Sequence, residues 1–422
     1  MPQSIHESMT SLLSKRRANS ALRALSTSSP SSIDFSSNDF LSLSHSPDLK
    51  KAYLTELTTS PNFHLGSGGS RLLDGNSTYA EKLEVEISAF HNAPAALLFN
   101  SGFDANSGFF ACVPQPGDVV LYDEFVHASV HEGMRLSRAG CCKSFSHNSL
   151  ADLRVKIEEV RGDERVMRGE RTVFVAIESL YSMDGDLAPI EAILDIVDEL
   201  LSSGNGLVVV DEAHSNGVYG FQGRGIVCSL GLEKRVFARL HTFGKGLACN
   251  GAAILCSPLT REYLINYARP LIYSTSMSFP SLAAIKVVYS LMQQGTTQPL
   301  ILYLNDLIKH MYRQLSTLLP RAKHPASGIQ LLQLPEQLPR SPIFALLTPE
   351  PRSLAKYCQD AGFVVRAIVP PTVPEGTQRV RVCLHAGNTY QDADRLVARI
   401  GSWLEMKGGI GKDEGRPVRA VL

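Results

Sequence analysis

Long apolar runs are missing from this chain of 422 residues. Stretches such as residues 207–210 are strand-sized, far short of the ~18 apolar residues that a membrane-crossing helix needs. Net charge is missing too, with 41 lysines and arginines against 41 aspartates and glutamates. A neutral chain with scattered charges has no electrostatic footprint for nucleic acid. The eight cysteines are sparse and none are spaced C-x-x-C. That excludes a disulfide scaffold and gives no sign of a zinc ribbon or redox dithiol; reduced thiols in a cytoplasmic protein are the expectation. No G-x-x-x-x-G-K-[ST] phosphate loop, G-x-G-x-x-G fingerprint or G-x-S-x-G elbow occurs.

What is present is a globular pattern. Hydrophobic residues make up 44% of the chain, enough for a large core. Lys15, Arg16, Arg17 and Arg23 make the first residues basic, but Glu7 is among them and no hydrophobic segment follows. Leu12, Leu13, Leu22 and Leu25 are expected on one face of an ordinary N-terminal helix. A serine-rich linker covers residues 26–32. Residues 119–121, 172–177 and 207–210 read as strands buried on both faces. Pro189 opens a helix with Ile193, Leu194, Val197, Leu200 and Leu201 on one stripe, stopped by Gly204. This alternation predicts a parallel sheet covered by helices. The last hundred residues differ. A helix over 300–318, strands at 343–347 and 379–384, and a helix from Gln391 predict a small α+β unit. The expected division is an N-terminal helix and linker arm over 1–45 and a large domain over 46–290. A small C-terminal domain over 291–405 and a flexible tail over 406–422 complete it.

Four segments carry polar residues where chemistry is expected. LVVVDEAHSNGVYG (207–220) runs a buried strand into Asp211, Glu212 and His214, and ligands of α/β proteins bind at such strand ends. Asp-Glu-Ala-His alone also fits a helicase box, but the phosphate loop that reading needs is absent. HTFGKGLACNGAAIL (241–255) sets Lys245 between glycines; in apolar surroundings its amine becomes nucleophilic, and a solvated loop lysine is the plainer alternative. HLGSGGSRLLDGNS (64–77) is a glycine-rich turn. FNSGFDANSGFF (99–110) opens a helix whose free amides suit a phosphate, and YDEFVHAS (122–129) adds His127.

In this order and combination the segments resemble the α-oxoamine synthases, pyridoxal-phosphate enzymes of fold type I. The similarity covers residues 22–404. It also rests on SSNDFLSLSHSP (36–47), SMDGDLAPI (182–190), LIYSTSM (271–277) and PPTVPEGTQRVRV (370–382). The resemblance implies an α/β fold: a large domain with a mostly parallel sheet flanked by helices, plus a smaller α+β domain. It implies that Lys245 carries pyridoxal 5'-phosphate and moves the Cα proton. Asp211 pairs with the ring nitrogen, His214 with the phenolic oxygen, and His127 stacks on the ring. Gly102, Phe103 and Thr242 hold the phosphate, and Ser182 belongs to the pocket. Thr275 reaches the phosphate of a partner subunit, which implies a homodimer. No metal, nucleic acid or membrane is expected.

The implied reaction is decarboxylative condensation of an amino acid with an acyl-CoA. The last two segments point to members that use L-alanine and pimeloyl-CoA, in biotin biosynthesis. Two positions depart from that pattern. Val369 stands where an arginine binds the amino acid's carboxylate, with Arg366 three residues earlier as a substitute. Ala80 stands where the glycine-rich segment is followed by histidine. An amino acid joined to a polyketide or other long acyl thioester is the alternative. An aminotransferase shares the Asp–Lys pair but gives no reason for PPTVP and SMDGD. Lys245 argues against a cofactor-free regulatory subunit. Arg71, beside the glycine loop, reads equally as a substrate ligand or a structural residue.

Overall fold

The computed structural model describes residues 4–408 except 20, 21, 24, 26, 28, 61, 62, 325 and 326. Part of the serine linker and residues 409–422 of the expected tail lie outside the described residues. A short strand, β1 (Ile33–Asp34), precedes seven strands that form one sheet. These are β2 (Ala95–Phe99), β3 (Val119–Asp123), β4 (Cys141–Phe145), β5 (Val173–Glu178), β6 (Gly206–Asp211), β7 (Ala238–Thr242) and β8 (Ala252–Cys256). Their order is β2-β8-β7-β6-β5-β3-β4. β8 runs antiparallel to both neighbours and every other pairing is parallel. All six residues of β5 are buried, which is why its sequence is a continuous apolar run rather than an alternation.

The helix Ile190–Leu200 lies between β5 and β6 in the chain. Ile193, Leu194 and Val197 are buried, with Pro189 at the N-cap as expected. The helix ends at Leu200, four residues before Gly204, which sits in the turn at φ 74°.

Four more strands follow: β9 (Ile343–Leu347), β10 (Phe363–Val364), β11 (Arg366–Ile368) and β12 (Arg379–Cys383). β11, β12 and β9 make a three-stranded antiparallel sheet. β10 pairs in parallel with β1, so the start of the chain is stitched to its end. One continuous cluster of buried apolar side chains runs from Leu98 and Leu255 in the large sheet to Phe344 and Trp403 near the C-terminus.

Two expectations at the ends are corrected. The first helix spans Ile5–Ala18 with no buried residue, so Leu22 and Leu25 lie beyond it and all four leucines are exposed. The last helix, Tyr390–Lys407, takes in the first residues assigned to the tail. Its Lys407 pairs with Glu350 at 2.5 Å. No helix among the described residues is long and apolar enough to cross a membrane.

Candidate active site

The carboxyl ends of the parallel strands meet at one cavity of about 140 Å³. β5 ends in Glu178 and β6 in Asp211, which are register partners on adjacent strands. β7 ends in Thr242, and the turn after it brings up Lys245. The chain leaves β2 and enters the helix Gly102–Cys112, whose N-cap Ser101 accepts from Asp104 N at 3.0 Å. Gly102 and Phe103, the first two residues of that helix, line the cavity. Gly102 packs closely on Thr242: a Cβ there would stand 3.4 Å from the Thr242 side chain, an ordinary van der Waals contact.

Lys245, Asp211, His214, His127, Gly102, Phe103 and Thr242 all line this cavity. Lys245 Nζ lies 2.9 Å from His214 Nε2. Burial lowers the lysine's pKa, although Asp211 and Glu178 pull the other way. A larger neutral fraction makes the amine a better nucleophile and base. Burial and the Lys245 charge together push His214 well below the usual imidazole range. A neutral His214 Nε2 can accept from Lys245, which leaves Nδ1 to carry the ring proton. That Nδ1 is buried and has no hydrogen-bond partner among the described residues. Thr242 Oγ1 donates to Gly251 O at 3.3 Å. His127 and Phe103 form the open rim, their rings edge to face at 6.4 Å.

Three residues of the cavity were not singled out from the sequence. Asn106 Nδ2 donates to Asp211 Oδ2 at 2.7 Å, while Ala213 N donates to Asp211 Oδ1 at 2.9 Å. Ser129 Oγ lies 2.7 Å from His127 Nδ1 and 3.0 Å from Asn106 Nδ2, so one short network links Asp211 to His127. Glu178 is 4% exposed, and burial, with Asp211 beside it, lifts its pKa well above the ordinary carboxylate range. Asn106 sits four residues after Gly102, one helical turn along the same face, which was the available signal.

Other expected residues lie elsewhere. Ser182 lines a neighbouring cavity that shares His127 with the Lys245 cavity. Thr275 is exposed, with its carbonyl accepting from Asn100 Nδ2 at 2.8 Å. Arg366 is exposed on β11, opposite Arg381 of β12, and does not line the Lys245 cavity. Arg71 is committed to structure: it pairs with buried Glu84, and its Nε donates to Asn76 Oδ1 at 3.0 Å. Glu84 also accepts from Arg261 at 2.6 Å and from Leu98 N at 2.8 Å. Arg71 does not line the Lys245 cavity.

The arginine whose charge acts on the cavity is Arg381, to which sequence reading gave no role. Its Nη2 donates to Asn38 Oδ1 at 2.9 Å and its Nε to Ser182 O at 2.6 Å. Its charge lowers the pKa of both His214 and Lys245, so it acts on the same cavity.

Taken as a donor set, the cavity suits a flat, anionic, pyridine-like cofactor. It offers a carboxylate held by two donors, an amine, a ring at the rim and a capped helix N-terminus for a phosphate. The unpartnered His214 Nδ1 is a further buried group that can meet a polar substituent of the ring.

Comparison with known proteins agrees with this geometry. The family model described as aminotransferase class I and II matches residues 30–400. An 8-amino-7-oxononanoate synthase of Emericella nidulans is 52% identical over 96% of this chain and 97% of its own length. The aminoacyl transferase sphA of Aspergillus fumigatus is 39% identical over 87% of this chain and 80% of its own. Among solved structures, serine palmitoyltransferase from S. paucimobilis superposes with a TM-score of 0.81 at 22% identity, covering 97% of this chain and 100% of that one. The 8-amino-7-oxononanoate synthase of Francisella tularensis superposes at 0.70 with 23% identity, covering 90% and 99%.

Proposed function

The chain belongs to the α-oxoamine synthases, pyridoxal-phosphate-dependent acyltransferases within the aminotransferase class I and II family, and we propose that it joins L-alanine to pimeloyl-CoA, giving 8-amino-7-oxononanoate, CoA and carbon dioxide. The observation that carries this reading is the grouping of Lys245, His214 and Asp211 in one cavity under the Arg381 charge. The 52% identical relative, matched along almost its whole length, supports the choice of substrates.

Bound pyridoxal phosphate supplies an electron sink for a carbanion at the amino acid's Cα. The chain's own residues do the rest. Asp211, held in place by Asn106 and Ala213 N, would face the ring nitrogen and keep it protonated. The amides of Gly102 and Phe103, with Thr242, would hold the phosphate at the helix N-terminus. His127, its imidazole fixed by Ser129, would cover the ring face. His214 Nδ1 would meet the phenolic oxygen. Lys245 Nζ would carry the cofactor covalently; once the substrate's amine displaces it, the freed amine would remove and return the proton at Cα. Arg381 and Asn38 bind the amino acid's carboxylate, the task that Val369 cannot perform. Thr275, exposed in a single chain, reaches the phosphate in a partner subunit of a homodimer.

The sphA relative favours a second reading, in which a long or polyketide acyl thioester takes the place of pimeloyl-CoA. A matrix of amino acids against acyl-CoAs, scored by CoA release, separates the two. Turnover confined to L-alanine with pimeloyl-CoA supports the first. A preference for long uncharged acyl chains supports the second. No CoA release with any pair, from enzyme carrying its cofactor, sinks both.

A further inference from the structure

His147 lies outside the Lys245 cavity, in the turn after β4, and none of the chemistry above uses it. Its ring is held on both nitrogens by carboxylates. Nδ1 lies 2.9 Å from Asp123 Oδ1, and Nε2 lies 2.8 Å from Asp186 Oδ2. Carboxylates only accept, so both ring nitrogens donate and the ring is an imidazolium. Burial alone would lower its pKa; the two carboxylates override that and lift it to about 10. The ring also stacks on Phe125 at 4.4 Å and meets the Tyr181 edge at 4.4 Å. The remaining groups around it are Glu124, which accepts from His147 N at 2.9 Å, and Asn148, which donates to Asp186 at 2.6 Å.

The two carboxylates belong to two different walls. Asp123 ends β3 and accepts from Phe125 N at 2.9 Å, shaping the turn that leads to His127. Asp186 belongs to the segment 181–187, which is tied to itself by Tyr181 N donating to Asp186 O at 3.0 Å. That segment has almost no side chains of its own in the Lys245 cavity, yet its carbonyls hold the guanidinium groups of β12. Ser182 O accepts from Arg381 Nε at 2.6 Å, and Met183 O accepts from Arg379 Nη1 at 3.2 Å. Asp184 pairs with the same Arg379. The sequence of contacts is therefore Asp123, His147, Asp186, the 181–187 backbone, Arg381.

We infer that His147 is a positioning residue: by bridging Asp123 and Asp186 it fixes the segment 181–187, and through the Ser182 carbonyl it sets Arg381 for the amino acid's carboxylate. This rests on the reading of Arg381 given above. A small displacement of a guanidinium weakens a bidentate carboxylate contact far more than its own folding energy would suggest.

The test uses the enzyme carrying its cofactor, titrated with L-alanine and followed by the cofactor's absorbance. The proteins are wild type, His147→Gln, Asp186→Asn and the double variant. Asp186 sits on a partly exposed segment, so Asp186→Asn keeps the test alive if His147→Gln does not fold. Each single variant is expected to weaken L-alanine binding about tenfold, with the double variant no weaker than the singles. Ethylamine, which has no carboxylate, is expected to bind wild type and variants alike; general damage to the site would weaken both ligands. Unchanged L-alanine binding in the single variants overturns the inference, as do additive losses in the double variant or equal losses for ethylamine. A wild type that responds to none of L-alanine, glycine and L-serine overturns the amino-acid reading first, and this inference with it.

Discussion

Arg381 Nη2 donates to Asn38 Oδ1 at 2.9 Å, joining residues 343 positions apart, and the Arg381 charge acts on Lys245. Asn38 is carried on the loop after β1, and Arg381 on the central strand of the small sheet. The pair forms where the start of the chain is laid beside its end, by β1 pairing with β10 and by Cys383 N and Ala386 N donating to Phe35 O and Phe40 O, each at 2.8 Å.

Substituting either member should act on amino-acid binding first. Arg381→Lys keeps the charge but loses the planar fork, and a rise of about tenfold or more in the KM for L-alanine is expected. Asn38→Ala should move the same parameter in the same direction. Steady-state CoA release at varied L-alanine checks this, and an unchanged KM for both variants would refute the carboxylate role.

Lys245→Ala should abolish borohydride-fixed attachment of the cofactor while leaving non-covalent binding measurable, because the helix N-terminus and Asp211 remain. Mass spectrometry after borohydride treatment reads the covalent adduct. A persisting adduct would move the anchor to another lysine.

Asn106→Ala should leave the buried Asp211 carboxylate with one donor fewer. A hydrogen bond to a charged group contributes about 1.5–3 kcal/mol, so a stability loss of that order is expected in the cofactor-free protein. The exchange of the Cα proton of L-alanine with solvent deuterium should slow as well, since Asp211 is then less well aimed. Asp211→Asn should slow exchange more strongly. Exchange at the wild-type rate in both would remove Asp211 from the mechanism.

His147 gives a stability prediction with a definite sign. Its folded pKa, about 10, lies above the ordinary imidazole value of about 6.5. The folded state therefore binds this proton more tightly than the unfolded state does. Its contribution is complete below pH 6.5, declines as pH rises and is gone above about 10. The groups that face it are Asp123, Asp186, Glu124 and Tyr181. The gap in denaturation midpoint between wild type and His147→Gln should narrow steadily from pH 7 to pH 10. A gap that is constant across that range would mean the imidazolium is not the stabilising form.

Much of the site was legible because its residues sit at strand ends and turns, where polar side chains interrupt apolar runs. Asp211 closes the run 207–210, and Lys245 stands between two glycines. Asn106 and Glu178 were harder to see. Asn106 lies inside a helix, where a polar residue usually faces water. Glu178 ends a run of buried residues without any turn signal. Arg379 and Arg381 alternate with Val380 and Val382, a pattern that normally marks a half-exposed strand. Both arginines are nevertheless buried, because the segment 181–187 covers that face and offers them carbonyls and Asp184.

The amino-acid sequence by itself determined the alternation of strands and helices, the cofactor chemistry of the Lys245 and Asp211 segments, and the helix start at Gly102. The alternation and the helix start follow from local patterns: apolar periodicity, caps, and polar residues where strands stop; the cofactor chemistry follows from the family resemblance that the segments carry in combination. Tertiary structure alone decided which arginine serves the cavity. Arg71 is tied to Glu84, Arg366 is left on an exposed edge, and Arg381 is buried where its charge acts on Lys245. Arg366 and Arg381 are the same side chain set among apolar neighbours on short strands, and Arg71 follows a glycine- and serine-rich turn. Only the long-range pairing of β1 with β10 and the packing of the small sheet against the segment 181–187 tell them apart.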